Sequence, residues 1–464
     1  MPEDVSPFRN TEFRKLFVAQ VVALLGTGFA TVALTLLAYD LAGGDAGVVL
    51  GTALAIKMVA YVVFAPLVGG LAHQFNRKRL LISLDIMRAV IVLAMPIVTE
   101  VWQIYLLIFL LNIFSAGFKP VFQSTIPELI VNERAYTRAL SYSRLAFDLE
   151  TLLSPMLAGI ALLYFGYSVL FVANSAAFLV SAFMVLLTVL PKAEWVDRSG
   201  GMWDEVTFGI RSYLKTPRLR GMLFFYSAVA CASAMILVNT VVYIKGQLGG
   251  SEFDVALAFA ASGAGSMLIA MVLPRLLDRL SDRIVMIWGS VAMCVGLMLI
   301  YLEPGLLEVL LIWFIIGMGW SAIQTPAGRV VNRSSAKADR PSYFSAQFAL
   351  SHACWMIAYP VAGQLGVLVG IETTALLLGI AVALFALIGA RMWPDFDPLV
   401  LEHSHDQVSH RHAHSHSEHH HDHQHVEEDE SASDDHEHLH QHVHKSITHS
   451  HVFAIDDHHP EWPR

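Results

Sequence analysis

Twenty of the 22 histidines in this 464-residue chain lie between His403 and His459, most of them at His-x-His spacing. The candidate ligands are His403, His405, His410, His412, His414, His416, His419, His420, His421, His423, His425, His436, His438, His440, His442 and His444. An acidic patch, VEEDESASDD from Val426 to Asp435, divides them into two blocks. In an extended chain, positions two apart share a side and are about 7 Å apart, so several imidazoles can wrap one ion. With a pKa near ~6.5 these rings are mostly neutral in a cytosol, which is the ligand form. The intermixed Asp and Glu add oxygen ligands and offset the charge of a cation. This is divalent transition-metal chemistry. Imidazole suits nickel, zinc, cobalt and copper alike, and a floppy segment imposes no geometry that chooses among them. No apolar periodicity runs through the segment, so it cannot build a core and is expected to be disordered.

A second set of chemically capable residues sits inside long apolar runs, where a polar side chain is costly and tends to face a cavity or a partner. In SRLAFDLETLLSPMLAG, Arg144 and Asp148 are four apart and share a helix face, which predicts a salt bridge. Glu150 is about 200° around the helix from Asp148, away from that bridge. It either pairs with a basic neighbour such as Lys57 or is a proton or cation site. Lys57 in turn snorkels, pairs with an acid, or switches partner between conformations. In FALSHACWMIAYPVAG, His352 and Met356 share a face at i, i+4 and offer nitrogen and thioether ligands, whereas Cys354 points away. His352 is either a satisfied core residue or a ligand. Asn112, Asn239, Gln324 and Gln347 are read as helix-packing hydrogen bonds. Asp85 and Arg88, one turn apart, read as a structural latch.

The elements that must position these residues follow from composition. With 55% hydrophobic and 15% charged residues and a mean hydropathy of +0.55, the chain is a polytopic membrane protein. The formal charge of −9 misleads: from Leu401 on there are 14 Asp and Glu against three Lys and Arg, or −11, which leaves +2 for the rest. Six apolar runs long enough to span a bilayer fall between Leu16 and Leu190 and six more between Gly221 and Met392. This predicts an all-α membrane protein with 12 transmembrane helices in two six-helix bundles, residues 1–190 and 221–393. A cytoplasmic linker, 191–220, carries Trp203–Leu214 as an amphipathic helix for the membrane surface, and 394–464 is the histidine-rich tail. Met1–Arg14 is polar and basic without an h-region, so the first apolar run is expected to stay as a helix. Alternate loops carry the Lys and Arg, which puts both termini in the cytosol of a bacterial cytoplasmic membrane. Cys231, Cys294 and Cys354 lie apart in apolar runs and imply no disulfide framework. P-loop, H-E-x-x-H and C-x-x-C motifs are missing, so no catalytic residue, required cofactor or nucleic-acid partner is expected.

The loop GGLAHQFNRKRLL, Gly69 to Leu81, has a degraded echo about 200 residues later in LPRLLDRLSDRIVMI, Leu273 to Ile287, which marks an internal duplication. Gly69, Leu71, Ala72 and the Arg77-Lys78-Arg79 run resemble the loop between helices two and three of the major facilitator superfamily. His73, Gln74 and Asn76 depart from the usual Asp, Arg and Gly, while the second copy keeps Asp278 and Arg279. The resemblance implies a structural latch of Gly69, His73, Arg77, Arg79, Asp85, Arg88, Asp278 and Arg279, in which the position of His73 helps hold the two halves together on the cytoplasmic side. Ser154-Pro155 and Gly159 resemble the corresponding helix of enterobactin-exporter-like relatives, and Tyr359-Pro360 to Gly363 is their symmetry mate.

Helices and tail together resemble the nickel-resistance exporters of that superfamily, the NreB and NrsD type, with FSAQFALSHACW and the tail as the most telling parts. The resemblance implies proton-driven efflux of nickel, with cobalt as a second substrate, by a monomer in the lipid bilayer. Three readings stand: a metal exporter whose tail gathers ions, a siderophore or drug exporter whose tail senses metal, and a membrane-anchored metal buffer. A duplicated loop and mid-membrane Glu150 and His352 argue against the third, since an anchor needs one helix.

Overall fold

A computed structural model describes residues 6–43, 46–191, 201–397, 400–405, 408–414, 438–444, 447–455 and 462. Of the candidate ligands, His416, His419, His420, His421, His423, His425 and His436 lie outside the described residues. Twelve helices are long and apolar enough to cross a membrane, as the hydropathy predicts. The first half is α1 (Thr11–Ala42), α2 (Ala46–Leu71), α3 (Arg77–Leu93), α4 (Val101–Leu129), α5 (Glu133–Leu162) and α6 (Ser168–Leu187). After α7 (Gly201–Lys215) come α8 (Pro217–Ala234), α9 (Glu252–Leu277), α10 (Asp282–Ile300), α11 (Leu306–Arg333), α12 (Arg340–Val369) and α13 (Ile371–Met392). Beyond α8 the chain continues in π-helical turns, Met235–Asn239 and Val242–Gln247.

Polar residues in the basic loops start the helices that follow. Asn76 accepts a hydrogen bond from the Arg79 N–H and caps α3, Asn132 caps α5 through Ala135, and Ser281 caps α10 through Ile284. A side-chain cap thus stands at Asn76, where the resembling loop has glycine. Large apolar side chains such as Leu93, Leu163, Trp288 and Leu311 are exposed on the outer helix faces, a surface that suits lipid rather than water.

The expectation for the linker helix changes. α7 packs its apolar face against α2 and α12 rather than a membrane surface, burying Val206, Phe208 and Tyr213. Tyr213 donates to Gln347 on α12, so that glutamine joins α7 to the bundle. Only one edge of α7, with Trp203 73% exposed, is left for another surface.

Residues 400–452 contain four strands where composition predicts no regular structure. β1 (Val400–His405) pairs antiparallel with β4 (Ile447–Val452), and β2 (Val408–His414) with β3 (His438–His444). Alternation of Val, Leu and Ile with His and Ser supplies the period of two that a strand needs, and strand pairing requires a partner rather than a core. The compact unit that holds the helices runs to Asp397 and takes in the chain again at Ala454. Within it Tyr343 donates to the Ile455 carbonyl at 2.8 Å, and the Arg218 guanidinium lies 4.8 Å from the Trp462 ring. Asp397 accepts from Arg333 at 2.8 Å and from the Trp393 indole at 2.9 Å.

Candidate functional site

The two halves touch at the face that carries the basic loops. A Cβ at Gly69 would overlap Ser345 of α12, so glycine is what lets α2 and α12 touch, and Ser342 Oγ donates to the Gly69 carbonyl at 3.3 Å. His73 Nε2 lies 3.5 Å from Glu205 of α7, whose other carboxylate oxygen accepts from Gln74 at 2.8 Å. Arg134 and Asp278 pair across the seam at 3.2 Å, although both are largely exposed and contribute little. Arg329 of α11 reaches Glu133 of α5 at 3.0 Å and the buried Asp282 of α10 at 3.5 Å. These contacts close the protein on that face.

Deeper in the seam, Arg144 and Asp148 form the salt bridge that their spacing predicts, at 2.9 Å. The pair also belongs to the other half. Ser266 of α9 donates to Asp148 at 2.7 Å and accepts from Arg144 at 3.0 Å, and Arg144 donates to Gln324 of α11. Glu150 sits on another face, as the helical angle requires: a Cβ on Gly28 of α1 would come within 2.6 Å of its Oε1.

The centre of the α2–α12 seam is aromatic and basic. His352 is edge-on to Tyr61 at 4.9 Å between centroids, with Phe348 at 4.1 Å and Trp355 at 5.1 Å. Its Nδ1 is 2.7 Å from the Phe348 carbonyl oxygen, to which it donates when that nitrogen carries the proton. Lys119 of α4 donates to Tyr61 Oη at 3.3 Å, and the Lys57 Nζ is 5.7 Å from the same ring. The Lys119 Nζ also lies 5.1 Å from the Tyr61 ring and 5.8 Å from that of Phe348. Met356, four residues on from His352 along α12, is 37% exposed. Cys354 turns toward Ser227 of α8, 3.4 Å away, consistent with its pointing away from His352. Among the described residues no three His, Cys, Asp or Glu converge as an ion cage.

Residues 16–240 and 222–407 match the profile of the Major Facilitator Superfamily. The chain belongs to that superfamily. Among its relatives, the uncharacterized MFS-type transporter YfiS of Bacillus subtilis (strain 168) is 26% identical over 280 residues, 58% of this chain and 65% of that one, just under two thirds. The multidrug resistance protein MdtG of Enterobacter lignolyticus (strain SCF1) is 27% identical over 187 residues, 40% of this chain and 43% of the other. The human organic anion transporter MFSD10 (TETRAN) superposes with a TM-score of 0.71 at 13% identity, over 84% of this chain and 100% of that one. A bacterial homologue of the iron transporter ferroportin in its outward-facing state superposes with 0.68 at 13%, over 82% and 98%. At such identities the likeness shows the fold alone.

For a major facilitator transporter, the latch expected from the loop is only partly where the resemblance puts it. Gly69 and His73 lie in the seam, and Asp278 pairs across it. Arg77 instead binds Glu128 of α4 at 2.6 Å, inside the first half. Asp85 and Arg88 are a buried pair on α3, with Ser181 of α6 donating to Asp85 at 2.8 Å and Arg88 stacked on Phe118 and Phe178, a structural latch within the first bundle. Arg79 and Arg279 are exposed, and Arg79 contributes its backbone N–H to the α3 cap. Sequence reading missed Lys119, Glu205, Ser266 and Arg329. Lys119 had a signal, a lysine within an apolar run as odd as Lys57; the others are ordinary until a partner from another helix is known.

The Gly69 contact gives a test of the alternating seam. Overpacking a tight interface costs about 1–3 kcal/mol, so Gly69→Val is expected to depopulate the state closed at this face and slow transport by about tenfold. Adding Ser345→Gly removes the opposing atoms and should restore most of the rate. Equal transport by wild type and the single variant, in cells with equal amounts of protein, would show that this contact does not limit the cycle.

Proposed function

We propose that this major facilitator protein is a secondary exporter of divalent metal, nickel foremost and cobalt with it, driven by proton antiport and conferring metal resistance. The observation that carries the metal reading is the register of β2 and β3. His410 is opposite His442, His412 opposite His440 and His414 opposite His438, and these alternate positions belong to one face of the ribbon. Directly opposed strand positions have Cβ atoms about 4.5–5.5 Å apart, a spacing that two imidazoles on one ion require. Three such pairs in succession hold cargo on the same chain as the transporter and raise its local concentration. The reading puts the chain in a bacterial cytoplasmic membrane as a monomer, with the basic loops and both termini cytosolic, and with protons as counter-ions.

A second reading, a siderophore or drug exporter with a metal-sensing tail, is favoured by the rings of Tyr61, Phe348 and Trp355 and the lysines around His352. The relatives named for multidrug and macrolide efflux add to it. Survival and cell metal content, measured metal by metal in a sensitive host beside a panel of drugs, separate the two. Nickel content is expected to fall when the chain is expressed. Removing residues 399–453 through a short Gly-Ser joint keeps Asp397 and Ile455 with their partners Arg333 and Tyr343. That variant should stay in the membrane and protect only at higher external nickel. A cut after Trp393 removes those partners as well and should lower the amount of protein. Unchanged nickel content with protection against drugs would establish the second reading instead.

A further inference from the structure

The charge at the centre of the α2–α12 seam does not suit a bare dication. Lys57 and Lys119 both approach the Tyr61 ring, their Nζ atoms 5.7 and 5.1 Å from its centroid, so two basic side chains face one aromatic group. An aquo Ni(II) ion would add two more positive charges beside them, in a region where charges are poorly screened and where no cage of three ligand side chains converges among the described residues. The lysine that makes the site basic also has bonding capacity to spare: an ammonium group has three donors, and one of those of Lys119 goes to Tyr61 Oη. Around them Tyr61, Phe348, His352 and Trp355 form an apolar and π-rich wall, which fits an organic body better than a hydration shell.

Resting on the metal-efflux reading, we infer that the cargo occupies this site as an anionic carboxylate chelate of the metal, with its carboxylates on Lys57 and Lys119 and its organic body against the aromatic wall. A chelate does not have to shed all its ligands to cross.

The test uses full-length protein in liposomes with an imposed pH gradient and radiolabelled nickel, supplied either in a non-coordinating buffer or as the one-to-one citrate complex. The citrate complex is expected to move at least tenfold faster, and Lys119→Met to remove about that factor, the size of one charge-assisted hydrogen bond. Lys119→Arg keeps the charge and should keep most of the rate. Lys57→Met repeats the measurement should Lys119→Met fail to fold. Faster movement of nickel in the non-coordinating buffer, or an unchanged or higher rate in both methionine variants, overturns the inference while leaving metal efflux intact. Movement of neither form, by a preparation that does move an organic anion, overturns the efflux reading and the inference together.

Discussion

Glu150→Gln is expected to reduce pH-driven nickel efflux to the level of cells without the transporter, with no change in the amount of protein. Glutamine keeps the shape and part of the hydrogen-bonding capacity of the side chain, so its packing against Gly28 and Ser154 survives. What is lost is a carboxylate in the middle of α5 that can carry a proton or a cation. An amide is also a far weaker metal ligand than a carboxylate. Efflux should therefore fail while exchange of cargo across liposomes without a pH gradient is weakened less. Wild-type efflux with an unchanged pH dependence would place proton coupling elsewhere in the seam. His352→Ala is expected to lose most efflux through the missing aromatic wall, and Cys354→Ser, on the α8 side, to be tolerated.

Asp148→Asn should act on stability before it acts on transport. The side chains of Asp148 and Arg144 are 5% and 11% exposed, so removal of the carboxylate charge leaves the Arg144 guanidinium buried without its counter-ion. Stranding one member of a buried pair costs about 3–5 kcal/mol, a large share of the stability of a typical domain. The loss is amplified because Arg144 also donates to Gln324 and Ser266, which belong to the other half. Protein amount and the midpoint of thermal unfolding in detergent should both drop. Replacing both members of the pair, Arg144→Met with Asp148→Leu, is expected to restore much of that midpoint without restoring transport. A single variant as stable as wild type would mean that water or another anion already reaches Arg144.

The likeness of the basic loops to one another, the twelve spans and the histidine repeats are all readable along the chain, because each is a local property. Insertion of a span depends on the summed transfer free energy of about 20 neighbouring residues, and the loop residues that cap α3, α5 and α10 act within three positions of themselves. The Arg144–Asp148 bridge is legible for the same reason: one helical turn brings its members together. Local composition also predicts too little for the tail, since alternating His with Val, Leu or Ile was read for its lack of a core rather than for its strand period.

Tertiary structure alone decides which helix faces meet. No spacing rule joins His73 to Glu205, or Arg329 to Glu133 and Asp282, because each pair is separated by a loop closure whose outcome depends on how the helices pack. The same holds for the cluster that sets the chemistry. Lys57, Lys119 and His352 are each a lone polar residue in an apolar run, and their meaning changes from three separate insertion costs to one basic, aromatic-walled site only when α2, α4 and α12 bring Tyr61 between them.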